Sequence, residues 1–115
     1  MSNFSIVGFW KFKTNRVKHE DGTWYSEDLA GGMMAFSPKG ETCLMVRSEQ
    51  GPWGYSGKYQ FDGSKFTVLI AACTAGDIEG SSLERSVIFV SENELLFSGV
   101  ESHTGRHFET VFLRT

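Results

Sequence analysis

Gly54-Tyr55-Ser56-Gly57-Lys58-Tyr59-Gln60-Phe61-Asp62-Gly63-Ser64-Lys65-Phe66-Thr67-Val68-Leu69-Ile70 decides the fold. Its first half alternates, with Tyr55, Gly57, Tyr59 and Phe61 on one face and Gly54, Ser56, Lys58 and Gln60 on the other. A period of two is that of a strand with one face turned to a core. Asp62-Gly63 then supplies a tight reversal, because glycine accepts the positive φ that such a turn needs. From 65 to 74 the chain is apolar on both faces, Phe66, Val68, Ile70 and Ala72 against Thr67, Leu69, Ala71 and Cys73. The stretch therefore predicts an antiparallel hairpin with one strand that needs cover on both sides.

The same pattern extends in both directions. Further reversals are signalled by Asp21-Gly22, Pro38-Lys39-Gly40, Gly51-Pro52, Ala75-Gly76-Asp77, Ser91-Glu92-Asn93 and Thr104-Gly105. Between them lie short runs rich in Val, Ile, Phe, Tyr and Thr, whereas apolar residues at helical spacing are scarce. The reversals bound eight expected strands, near 6–18, 31–37, 41–48, 54–61, 65–74, 82–90, 94–102 and 106–114. Tight connections imply sequential antiparallel pairing, and closing such a meander on itself removes both sheet edges. The expected fold is all-β: an eight-stranded up-and-down antiparallel barrel with little or no helix, preferred to a sandwich. An eight-stranded interior is just wide enough to be filled by side chains or to hold one small ligand.

The chain has 115 residues, which predicts a single domain over 1–115. Eleven basic and fourteen acidic residues, spread without a cluster, leave a net charge of −3 and no footprint for a nucleic-acid backbone or an anionic membrane. The chain holds no apolar run of the roughly 20 residues a membrane-spanning helix needs, and MSNFSIVGFW lacks the layout of a signal peptide. A cytoplasmic location is expected. Cys43 and Cys73 are then expected to behave as small buried hydrophobes. The connection from Asp21 to Gly32, carrying Trp24 and Tyr25, is long enough to be a lid or a plug over one barrel end.

Gly8-Phe9-Trp10 has the G-x-W form of lipocalins, and the chain closes on Phe112-Leu113-Arg114. Gly32-Met33-Met34-Ala35-Phe36-Ser37-Pro38-Lys39-Gly40, Tyr55-Ser56-Gly57-Lys58-Tyr59-Gln60-Phe61-Asp62-Gly63, and Gly80 with Arg85 five residues on follow in order. Together these motifs make the chain resemble the bacterial and fungal lipocalin-like domain family of the calycin superfamily, over nearly its whole length. The resemblance implies that Trp10 closes the barrel base with Arg114 packed over it. It departs where that family often carries a histidine early in the fifth strand, which here reads Thr67. Avidins share the G-x-W opening, but three tryptophans are few for a biotin pocket.

Strand parity nominates the interior. Trp10, Phe12 and Thr14 share a face against Lys11 and Lys13, and Phe108, Thr110, Phe112 and Arg114 share one against His107 and Glu109. The expected ligand-binding set is Phe12, Phe36, Tyr55, Tyr59, Arg85, Phe108 and Phe112, with Trp24 and Tyr25 at the mouth. Tyr55, Tyr59 and Arg85 are the members able to polarise a carbonyl or move a proton. Alternation does not place Arg85: inside, it could fork onto a ligand carboxylate or enolate, and at the rim it would pair with an acid. Arg47 offers a weaker version of the same idea.

His103 and His107 form an H-x-x-x-H pattern astride a turn, expected outside the barrel and not at a metal site, while His19 has no convergent partner. Nucleophile and phosphate-loop motifs are missing, so the expectation is no cofactor and no hydrolase chemistry. The reading is a small hydrophobic or aromatic molecule bound in the barrel. The alternative is a cyclase, isomerase or lyase acting on an aromatic or polyketide-like substrate in the same cavity. Homodimerisation would cover the second apolar face of strand 65–74.

Overall fold

The computed structural model describes residues 4–27, 31–48, 51–101 and 105–115. Its strands are β1 (Gly8–Lys18), β2 (Trp24–Ser26), β3 (Gly32–Phe36), β4 (Glu41–Ser48), β5 (Gly51–Phe61), β6 (Lys65–Cys73), β7 (Ser82–Ser91), β8 (Glu94–Val100) and β9 (His107–Arg114). A 3₁₀ turn, Gly76–Ile78, sits between β6 and β7. Strands pair antiparallel in sequence order, and β1 pairs with β9 to close the sheet. β2 lies against Arg16–Lys18 and β3 against Gly8–Lys11, on the same edge of β1. They form one broken stave, so the closed barrel has the expected eight staves.

Three local expectations are corrected. The segment from Asp21 to Gly32 does not run free as one long connection: it begins with a tight turn, His19 N–H donating to Thr23 O at 2.7 Å, and continues as β2. Asp21 Oδ1 fixes that turn by accepting from Thr23 N and Oγ1 at 2.9 and 2.7 Å. Three residues are too short to display a period of two, although Trp and Tyr suit a pleated surface. Gly51-Pro52 opens β5 instead of making a turn, since Ser48 pairs directly with Gly51.

The third correction concerns parity. A bulge between Phe12 and Thr14 inserts Lys13 as an unpaired residue. Trp10 and Phe12 point inward before it, but Asn15 and Val17 do so after it, and Thr14 is exposed on the outer face. One extra residue exchanges the two faces of everything beyond it. A bulge on β6 opposite Ser56 and Gly57 likewise brings Cys73, and not Ala72, to the interior. Cys43 is exposed on the outer face of β4, contrary to its expected burial, and Arg47 shares that exposure.

The lower half of the barrel is packed with rings. Phe36 meets Tyr59 and Phe66 edge-on at 5.2 and 5.6 Å, and Phe97 meets Phe66 and Phe112 at 5.7 and 5.5 Å. Edge-to-face geometry at these distances adds to the apolar burial. Phe66, Val68, Leu95, Val17 and Trp10 are fully buried.

Candidate functional site

The two ends of the barrel differ in how their polar groups are satisfied. At the lower end the Arg114 guanidinium lies over the Trp10 ring at 4.2 Å. It donates to Ser5 O and Val7 O at 2.6 and 3.0 Å, and from Nε and NH2 to Glu92 O at 3.2 and 3.1 Å. Trp10 Nε1 donates to Ile6 O at 2.9 Å, and Phe89 packs edge-on against both Trp10 and Phe4. One cation thus ties the N-terminal segment, the β7–β8 turn and the last strand over a buried indole. Tyr59 belongs to this half as well: its hydroxyl donates to Ser37 O at 2.8 Å.

The upper end is built from Tyr55 on β5, Arg85 on β7 and Phe108 on β9. Tyr55 is 8% exposed, and Trp53, two residues nearer the rim, meets its ring edge-on at 5.6 Å. Its hydroxyl has no hydrogen-bond partner among the described residues and keeps access to solvent, since no buried side-chain polar atom among them is left unpartnered. Burial pushes the phenol well above the ordinary tyrosine range, against a smaller opposing pull from the Arg85 guanidinium, so it stands as a neutral donor.

Arg85 points inward. Its guanidinium stacks over Phe108 at 5.0 Å, and NH1 donates to Glu84 O at 2.8 Å. Burial lowers its pKa, while the nearby Tyr55 and Glu101 act in the opposite sense. The side chain occupies the room left by Gly99, where a Cβ would come within 2.7 Å of Arg85 Cδ. Pairing between β7 and β8 ends at Ser86 and Ser98, although β7 extends to Ser82 and β8 to Val100. The wall therefore parts beside Arg85, and along its outer surface nearby runs an open groove of about 400 Å³, lined by Lys18, Trp24, Ser86, Ser98, Val100, His107 and Glu109 with Gly99 and Phe108 of the wall itself; neither Arg85 nor Tyr55 borders it.

Other nominated residues fall as follows. Phe36 and Phe112 are buried in the packed core, Phe12 lies against that core with its ring 6.4 Å from Phe112, and Phe108 is half-buried. Trp24 is not over the mouth: it pairs with Lys18 on the outer face, under the Arg16 guanidinium at 4.4 Å. Tyr25, one residue on, shares the inward face of Val17, stacks on His19 at 4.0 Å and accepts a hydrogen bond from Arg106. Arg106 also holds Glu101 at 3.0 Å. His103 of the H-x-x-x-H pattern lies outside the described residues, as do Asp28 and Leu29 of the expected lid.

Parity missed one interior polar residue, Asn15. Its Oδ1 accepts the Thr110 hydroxyl at 2.7 Å in the upper half, and only the bulge at Lys13 turns it inward. With Tyr55 and Arg85 it makes the upper interior a set of hydrogen-bonding groups on an apolar wall, able to bind a polar atom or to stabilise charge on a carbonyl oxygen.

This chain is similar in fold to designed β-barrels. A redesigned β-barrel superposes with a TM-score of 0.56 at 17% identity, over 96% of this chain and 91% of that one. A de novo designed fluorescence-activating β-barrel gives 0.55 at 19% identity, over 96% and 94%. No protein-family model and no curated protein matches the sequence.

Proposed function

We propose that the chain is an intracellular lipocalin-like barrel that binds a small hydrophobic or aromatic molecule in its upper half. The observation that carries this reading is that Tyr55 and Arg85, on the inner face of the upper half, keep donors without a protein acceptor in a barrel whose lower polar groups are paired. Donors on an apolar wall that no protein acceptor occupies stay open to the polar atoms of a ligand, which compete there with water alone. Trp53, Phe108, Leu44 and Leu83 supply an apolar wall for the body of such a ligand. The fluorescence-activating design of like fold is consistent with small-molecule binding by a barrel of this size. Free thiols at Cys43 and Cys73 fit a reducing compartment.

The test is calorimetric titration with 1-naphthoate and 1-naphthamide, flat aromatic probes of the size expected, with native mass spectrometry for stoichiometry. Saturable one-to-one binding of either supports the reading, and binding of neither overturns it. The enzymatic alternative rests on the same two donors, because a neutral phenol and a guanidinium can polarise a substrate carbonyl. Turnover of a bound polyketide-like substrate, lost in Tyr55→Phe while binding persists, would favour it.

A further inference from the structure

We propose that the upper-end ligand is an organic anion, a carboxylate or enolate on an apolar body, with its charged oxygens held by Arg85 and the Tyr55 hydroxyl. This rests on the binding reading above and adds the charge of the ligand. Arg85 differs from the other inward or packed arginines in what neutralises it. Arg16 is paired with Glu109 and Arg106 with Glu101, while Arg114 is shared among three backbone carbonyls and an indole face. Arg85 has a single carbonyl, Glu84 O, on NH1, and its Nε and NH2 have no acceptor among the described residues.

A guanidinium is cationic at any physiological pH, so a half-buried one without a carboxylate carries uncompensated charge. Glu101 is close enough to act on it, but that carboxylate is held by Arg106 at 3.0 Å. Phe108 covers one face of the guanidinium and leaves its N–H edge free, and the edge is what a carboxylate grips in two parallel hydrogen bonds. Tyr55, two strands away on β5, adds a neutral donor. A neutral ligand would leave the charge of Arg85 unanswered, whereas an anion completes it and both sets of free donors at once. The absent side chain at Gly99 and the parted strands beside it leave the guanidinium in place without steric opposition.

The experiment compares 1-naphthoate with 1-naphthamide, which share a ring system and differ in charge. The wild-type chain should bind naphthoate at least tenfold more tightly, with the preference shrinking as salt rises. Arg85→Gln should abolish the preference, naphthoate losing at least tenfold more affinity than naphthamide, and Tyr55→Phe should reduce it in part. Should Arg85→Gln fail to fold, the wild-type preference and the Tyr55→Phe result carry the test. Equal binding of the two probes, or an equal loss of both in Arg85→Gln, overturns the anion assignment and leaves the binding reading standing. Binding of neither probe overturns both.

Discussion

The lower and upper ends of this barrel are made from the same residue types and behave oppositely. Each places an arginine over an aromatic face, Arg114 on Trp10 and Arg85 on Phe108, and each includes an inward tyrosine, Tyr59 below and Tyr55 above. Below, each of these polar groups finds a backbone carbonyl. Above, the tyrosine finds none and the arginine one. Donors met by backbone carbonyls stabilise the fold, while donors that no protein acceptor occupies are left for water or a ligand. The comparison separates a structural end from a binding end.

The largest effect that would break it lies at the base. Trp10→Ala should destabilise by about 3–5 kcal/mol, the usual range for removing a large core aromatic, read by chemical denaturation. A nearly unchanged midpoint would mean that the lower end is not the anchor. Arg114→Met should follow at about 2 kcal/mol, through the lost charge-assisted bonds to Ser5, Val7 and Glu92, with probe binding unaffected.

The two tyrosines sharpen the comparison. Tyr59→Phe removes the hydroxyl that meets Ser37 O and should destabilise by about 0.5–1.5 kcal/mol without changing affinity. Tyr55→Phe should leave stability within about 0.5 kcal/mol of wild type or raise it, because the hydroxyl it deletes has no partner to lose. A loss larger than that of Tyr59→Phe would show that the Tyr55 hydroxyl is structural and would erase the distinction between the ends.

The smallest effect is expected to be alike at both ends. Asp21 caps the β1–β2 turn above and Asp62 the β5–β6 turn below, Asp62 Oδ1 accepting from Lys65 N and Ser64 N at 2.7 and 2.9 Å. These hydrogen bonds, to the Thr23 hydroxyl for Asp21 and to Lys65 N for Asp62, hold both carboxyls below the ordinary aspartate value. Their contribution is whole above the unfolded carboxyl value of about 4 and is lost as pH falls below it through the depressed folded value. Asp21→Asn and Asp62→Asn should each flatten the acid limb of a thermal-midpoint profile slightly. No change in that limb for either would remove the carboxylates from the account.

Alternation and turn chemistry made most of the barrel legible, because a period of two and Asp-Gly or Pro-Lys-Gly reversals are local properties. The hairpin around Asp62-Gly63 shows how directly, with Gly63 at φ +104° where the reversal was read. Bulges are not local in that sense. Lys13 is squeezed out by the pairing of β1 with β9, nearly a hundred residues away, so Thr14 was read as interior and Asn15 was missed. Trp24 was placed at the mouth because two aromatics in a connecting segment look like a lid, but pairing with β1 turned one ring outward and the other inward.

What the amino-acid sequence determined by itself is the set of strands, their reversals, and the apolar face of each, since these depend on neighbours along the chain. What only the tertiary structure decided is where the polar groups end up. Tyr55 and Tyr59 carry the same inward parity in sequence, yet the Tyr59 hydroxyl meets Ser37 O and the Tyr55 hydroxyl meets no described acceptor, while Arg85, which alternation leaves open, turns inward beside Gly99 with a single carbonyl. Hydrogen-bond satisfaction depends on which strand lies opposite, at what stagger and with what space. In a closed, sheared barrel those are fixed only when the first and last strands meet.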